Sequence, residues 1–295
     1  MKQSFTYYIT LFVIKLKGLK KAFSQDPIDF KKIRKEDVYH PKGKFFKQKH
    51  VRNFKISNTA ITEVGQNNGA KKLLIFIHGG AFISGPSKIH WDAVQEIYKA
   101  TNQTIWLCNY PKAPENKISE ISKNIDLIYA TALEQYPANQ ISIIGDSVGG
   151  TLTAALTQRL VKNKIELPNK IILISPVMDA SLSNSEIEKI DPIDPMLSKA
   201  GVLSAKKMCA ENDDLTNSMI SPLYGSFENF PHTILFIAEN DITYPDQKLA
   251  IEKLNQAKVN LEVIVGKNMP HIWPFLPVMK EAKEALKEII IRLKN

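Results

Sequence analysis

The sequence predicts an α/β fold built on a mostly parallel sheet with helices on both faces, and three observations carry that reading. Strand-like and helix-like segments alternate from about residue 70 onward, as they do when helices form the crossovers of a parallel sheet. Apolar runs such as 73–77 and 141–144 are short and rich in β-formers, which suits strands covered on both faces. With 295 residues, 44% of them hydrophobic, the chain can bury one large core.

Strands are expected at 73–77, 104–108, 141–144, 171–174, 234–238 and 261–265. Helical patterns fall at 91–100, 118–135, 150–162, 247–257 and 280–293, and residues 50–65 read as one or two antiparallel edge strands. No internal repeat or long linker interrupts the rhythm. The interval 179–231 does break it: it is polar, contains Pro192, Pro195 and Pro222, and separates two strands that should be neighbours. Insertions at the carboxyl edge of such a sheet cover the ligand crevice. The expected organisation is a single domain over 1–295, with a core of about 56–178 and 231–295 and a cap of about 1–55 plus 179–230.

The net charge is +9, and its distribution matters more than its size. Residues 1–55 carry 15 Lys+Arg against 4 Asp+Glu, and the remainder carries 24 against 26. A basic arm on a near-neutral body does not resemble a groove lined for nucleic acid. The segment Phe5–Ile14 has the length of a signal-peptide apolar region, but the lysines at 15, 17, 20 and 21 follow it and no small-x-small site appears. Phe5, Tyr8, Ile9, Phe12, Val13, Leu16 and Leu19 recur at helical spacing as one apolar stripe. That helix is expected to pack on the body, with attachment to an anionic membrane surface as the alternative. Cys108 and Cys209 have no metal-type spacing and read as free thiols in a reducing compartment, with a disulfide between them as the lesser alternative. The expected location is cytoplasmic, with peripheral membrane contact through the arm, and a homodimer is compatible with the sequence.

Gly145-Asp146-Ser147-Val148-Gly149-Gly150 follows the run of β-formers at 140–144. A serine on a sharp strand-to-helix turn, with small residues two before and two after, is the nucleophile-elbow pattern. The turn exposes the hydroxyl beside a helix N-terminus, whose free N–H groups favour developing negative charge. A serine needs a general base, and the base needs an orienting acid. In this architecture the order is Ser, then Asp or Glu, then His. His40, His50, His78 and His90 precede Ser147, and His232 precedes the strand that should carry the acid, so His271 is the base. Asp241 lies just past the strand at 234–238 and is the acid of choice, with Glu239 as fallback and Asp246 as a helix cap. His78-Gly79-Gly80-Ala81 follows the first strong strand. Its backbone amides, with that of Val148, are placed to bind an oxyanion. Asp146, Asp179, Glu115 and His78 read as groups that hold loops rather than touch substrate.

These motifs together resemble the hormone-sensitive-lipase-like family of α/β-hydrolases over roughly residues 55–290. Tyr110-Pro111-Lys112-Ala113-Pro114-Glu115 is similar to the family's Tyr-Arg-Leu-Ala-Pro-Glu, and Ser175-Pro176-Val177-Met178-Asp179 to its Ser-Pro-Trp-x-Asp. Asp194-Pro195-Met196-Leu197 and Ser221-Pro222-Leu223-Tyr224 resemble its lid signatures. The resemblance implies an eight-stranded sheet, a cap, and hydrolysis of short-acyl carboxylic esters without a cofactor or metal. It assigns Ser147 as nucleophile, Asp241 as acid, His271 as base, and Gly79, Gly80, Ala81 and Val148 to the oxyanion. Three departures stand out: Ala81 replaces a glycine, Val148 replaces an alanine, and the stretch from Asp241 to Asp246 is one residue longer than usual. Branching at Val148 and the methyl of Ala81 predict a crowded acyl site and a preference for small acyl groups. The alternatives are a lipase acting at membrane surfaces and a catalytically silent fold that binds a small ligand.

Overall fold

The computed structural model describes residues 3–48, 50–65 and 71–295. Eight strands form one sheet: β1 (Val51–Ile56), β2 (Thr59–Val64), β3 (Leu73–Ile77), β4 (Thr104–Asn109), β5 (Ile141–Asp146), β6 (Lys170–Ile174), β7 (His232–Asn240) and β8 (Leu261–Pro270). Their spatial order is β1-β2-β4-β3-β5-β6-β7-β8. The β1–β2 and β2–β4 pairings are antiparallel and all others parallel. Residues 50–65 thus supply two edge strands, a hairpin added to a parallel sheet.

The helices are α1 (Phe5–Lys17), α2 (Leu19–Ala22), α3 (Phe30–Ile33), α4 (Lys88–Thr101), α5 (Ile118–Leu133), α6 (Val148–Lys162), α7 (Ile187–Ile190), α8 (Lys199–Cys209), α9 (Tyr244–Gln256) and α10 (Lys280–Lys294). Alternation along each strand divides the core into two layers. Leu73, Ile75 and Ile77 of β3 face one way, against Ile121 and Ile125 of α5 and Leu152 and Leu156 of α6. Leu74 and Phe76 face the other, against Val94 and Ile97 of α4 and Ile289 of α10. Because both faces are covered, β3 is apolar without a gap.

Two local expectations are corrected. Asp246 does not cap α9: Thr243 holds the N-cap position, and the Asp246 carboxylate lies inside the first turn, accepting from Asn184 Nδ2 at 3.0 Å. The helix at the N-terminus does dock, but not by its apolar stripe. Tyr7, Thr10 and Ile14 are the buried residues of α1, whereas Phe5, Phe12 and Leu16 are 79%, 62% and 69% exposed. Polar anchoring fixes that orientation: Tyr7 Oη donates to Asn268 O at 2.8 Å, and the Ser4 hydroxyl donates to Glu281 Oε2 at 2.8 Å.

Candidate active site

Four parallel strands end at one edge, and each delivers a residue of interest there. β5 runs into Ser147, whose φ of 52° and ψ of −124° place a non-glycine residue in a strained conformation. The Ser147 N–H donates to Ile174 O at 2.8 Å, so the ladder with β6 holds the turn in place. Small neighbours are obligatory here. A Cβ on Gly145 would lie 2.3 Å from Gly149 O, and one on Gly149 would lie 2.0 Å from Ile77 O. α6 begins at Val148, directly after the serine.

β7 ends at Asn240 and delivers Asp241, fully buried. One carboxylate oxygen accepts from the Thr243 N–H at 2.9 Å and the Thr243 hydroxyl at 2.7 Å. The other lies 2.7 Å from His271 Nδ1. A carboxylate can only accept, so Nδ1 carries the proton and Nε2 is the free basic nitrogen. His271 follows β8, which extends to Pro270 rather than stopping at residue 265. The histidine therefore hangs from a strand end, and the Ile272 N–H donates to Ser175 Oγ at 3.0 Å to fix the turn after it. Glu239 is elsewhere, accepting from the Asn268 N–H at 2.9 Å.

The electrostatics of this pair are not those of an isolated dyad. Burial lowers the His271 pKa, but Asp241, by charge and hydrogen bond, with smaller effects from Asp194 and Asp146, outweighs it and the net direction is up. Asp194 comes from the insertion between β6 and β7, and its Oδ2 accepts from the Ile242 N–H at 2.9 Å. Burial, then the nearby charge of Asp241, pushes its carboxyl up to about 7. Sequence reasoning placed Asp194 in a lid signature but gave no hint that it sits behind the orienting acid.

At the end of β3, the Gly79 N–H donates to Asp146 Oδ1 at 3.0 Å, which locks the His-Gly-Gly segment against the elbow. A Cβ on Gly79 would come 3.0 Å from Ser147 Cβ, so the segment passes directly beside the serine. Ala81 and Phe82 both adopt left-handed φ, 55° and 66°. His90 accepts from the Ser87 N–H at Nδ1 and so presents Nε2–H to Asp146 at 3.3 Å. His78 is an anchor: its Nδ1 lies 2.6 Å from Gly79 O, its ring stacks on Tyr110, and burial holds its pKa well below the usual range.

The basic arm also reaches this segment, which no local signal foretold. Arg34 Nε donates to Ile83 O at 2.6 Å, its Nη2 to Ala113 O at 2.7 Å, and the guanidinium grips Glu115 bidentately. Asp37 accepts from the Gly85 N–H at 2.6 Å, and the Val38 N–H donates to Pro86 O at 2.7 Å. Both cysteines are free and buried. Among the described residues, no cluster of His, Cys, Asp and Glu is arranged to hold a metal ion.

A parallel sheet with a serine elbow after its fifth strand and an acid and a histidine after the seventh and eighth defines the class of α/β hydrolases. A family model for the alpha/beta hydrolase fold matches residues 74–275, and the chain belongs to that family. An esterase of Acinetobacter venetianus is 28% identical over 81% of this chain and 80% of its own. Among solved structures, an esterase from the bacterial hormone-sensitive lipase family superposes with a TM-score of 0.86 at 19% identity, covering 100% of this chain and 99% of that one. EstE5, solved after soaking with p-nitrophenyl butyrate, gives 0.88 at 21% identity over 99% and 98%. These last two likenesses concern the fold.

Proposed function

We propose that the protein is a serine carboxylic ester hydrolase working through Ser147, His271 and Asp241. The observation that carries the reading is the 2.7 Å contact between His271 Nδ1 and Asp241 Oδ2, at the same sheet edge as a serine held at positive φ after β5. His271 Nε2 takes the Ser147 proton as the hydroxyl attacks the ester carbonyl. Asp241 keeps the tautomer and stabilises the imidazolium. The protonated His271 releases the alcohol, and water activated by the same base frees the acid and restores Ser147. Because the Gly79 N–H is engaged by Asp146, the oxyanion falls to the amides of Gly80, Ala81 and Val148. Gly79 serves by having no side chain to collide with Asp146 and Ser147. The arm and the 179–230 insertion act as the cap, an assignment supported by the contacts of Arg34 and Asp194 at the sheet edge.

Val148 is fully buried in the same apolar cluster as Ala81 and Leu152, which supports small acyl groups such as acetyl. The name of the Acinetobacter relative, an esterase, fits an ester-cleaving role. Hydrolysis of p-nitrophenyl esters from acetate upward tests the reading. Rates should fall with acyl length and vanish in Ser147→Ala; equal turnover of long chains would remove the small-acyl assignment.

A second reading concerns location. The exposed stripe of α1 supports peripheral attachment to an anionic membrane surface. No helix among the described residues is long and apolar enough to cross a membrane.

A further inference from the structure

Lys206, on α8, is fully buried, and its Nζ has no hydrogen-bond partner among the described residues. The contrast with Lys170 is instructive: that lysine is also buried, but its Nζ donates to Arg292 O at 2.8 Å. A lysine ammonium offers three donors. Leaving all of them unused inside the protein is costly, and nearby apolar side chains cannot repair it.

Its surroundings belong to the candidate site. Lys206 Nζ lies 4.3 Å from the centroid of the Phe82 ring, and Phe82 follows Ala81 in the segment that passes beside Ser147. Ala81, Phe82, Val148, Ala205 and Cys209 belong to one apolar layer, so α8 packs into the same side of the core as the residues that flank the serine. The backbone of the arm holds α8 down: the Ile28 N–H donates to Ser204 Oγ at 2.9 Å, and a Cβ on Gly201 would meet Phe23 O at 1.9 Å. The face of Phe82 attracts a cation but offers no acceptor. What is missing is an anion.

We propose that Lys206 receives a carboxylate carried by the substrate, so that this hydrolase favours esters bearing a free carboxylate on a short acyl or alcohol half. The proposal rests on the hydrolase reading of Ser147 and adds the substrate's charge to it. A carboxylate docked there would accept from Nζ in a dry environment, where a charge-assisted bond is strong. A neutral ester of the same length would leave Nζ without a hydrogen-bond partner among the described residues, as it is now. Burial pushes the free amine down to about 7, with Cys209 on the same helix as the neighbouring ionisable group. A bound carboxylate would restore its charge.

The test compares mono-p-nitrophenyl succinate with p-nitrophenyl butyrate for an acyl-side carboxylate, and 4-acetoxybenzoate with its methyl ester for an alcohol-side one. Wild-type protein should favour the charged member of one pair, chiefly through a lower KM. In Lys206→Met that selectivity ratio should fall on the order of 10- to 100-fold, the value of one hydrogen bond to a charged group. Succinate or benzoate should inhibit the wild type competitively, with the inhibition weakened in the variant. Lys206→Gln guards against a folding defect in the first variant. Hydrolysis of both neutral esters with no preference in either pair, and no inhibition by the free acids, would overturn the proposal while leaving the hydrolase reading intact. Loss of every activity in the wild type would instead remove the reading on which it stands.

Discussion

His271 is held between two opposing tendencies, burial favouring the neutral imidazole and the Asp241 carboxylate favouring the imidazolium, and the carboxylate wins. A general base must be neutral to act, so the rate should fall as pH drops through a pKa lying above 6.5. In Asp241→Asn the main charge that raises the pKa is gone and burial outweighs the smaller effects of Asp194 and Asp146, so the acid limb should move to lower pH. The same change removes the tautomer control, and kcat should drop about 10⁴-fold. A pH–rate profile of both proteins measures the two effects together. Lys206 allows a second residue-scale prediction, on stability. Its folded pKa of about 7 lies below the 10.5 of an ordinary lysine, so between these values the unfolded chain binds a proton that the folded one does not. Stability from this group therefore rises with pH across that window and is lost as pH falls to 7. Lys206→Met should gain up to about 4 kcal/mol at pH 7 and lose that pH dependence, which urea unfolding at pH 7 and 9.5 would register.

At the scale of elements, the sequence was most readable where burial is two-sided. β3 and, after Lys170, β6 are runs of Leu, Ile and Phe because both faces meet helices, and the serine, acid and histidine could be ordered from the strands that carry them. Boundaries were harder. β8 runs on to Pro270 through Lys267 and Asn268, past a register shift after which it pairs with β7 again at Asn240 and Pro270, and no pattern announces this. Asp246 looked like a cap because it precedes an apolar helix, but its carboxylate belongs to a contact with Asn184, which is distant in sequence. α1 shows the limit of periodicity: an apolar stripe predicts a face to be covered, without saying by what. Here Tyr7 and Ile14 cover the body, and Tyr8, Ile9, Val13 and Leu16 remain on the outside. Lys15, Lys17 and Lys21 are exposed beside them, with no acidic residue before Asp26. That combination fits an anionic lipid surface better than a second copy of the same cationic helix. In co-sedimentation with vesicles of mixed anionic and zwitterionic lipid, the protein should bind and be released by salt. Leu16→Glu or Phe12→Glu should weaken binding by about tenfold or more. A salt-insensitive dimer that these substitutions dissociate would assign the stripe to self-association instead.

For the molecule as a whole, the arm behaves less like a tail than like a strap across the sheet edge. Its first helix is pinned to the end of β8, just before His271, through Tyr7, and Lys20 Nζ donates to the carbonyls of Asp191 and, at 2.8 Å, Asp194. Further along, Phe23 and Ile28 lie on α8, and Arg34 and Asp37 clasp the segment that carries Gly80 and Ala81. One continuous stretch thus touches the strand that leads to His271, the backbone of Asp194, α8 and the segment that follows Gly80 and Ala81. Composition revealed only that this stretch is basic, since a contact such as Arg34 to Ile83 O is made by a backbone atom that leaves no trace in sequence. If the strap positions the oxyanion amides, loosening it should damage turnover far more than folding. Arg34 is partly exposed and its partner Glu115 more so, so the ion pair adds little to stability. Its hydrogen bonds to Ile83 O and Ala113 O, by contrast, fix the loop that a reacting ester must meet. Arg34→Ala should therefore lower kcat by about ten- to a hundredfold, the range expected when reacting groups are displaced by up to an ångström, while Tm moves by only a few degrees. Steady-state kinetics and thermal unfolding on the same preparation separate the two: a kcat unchanged within twofold would show that the amides hold their places without the arm.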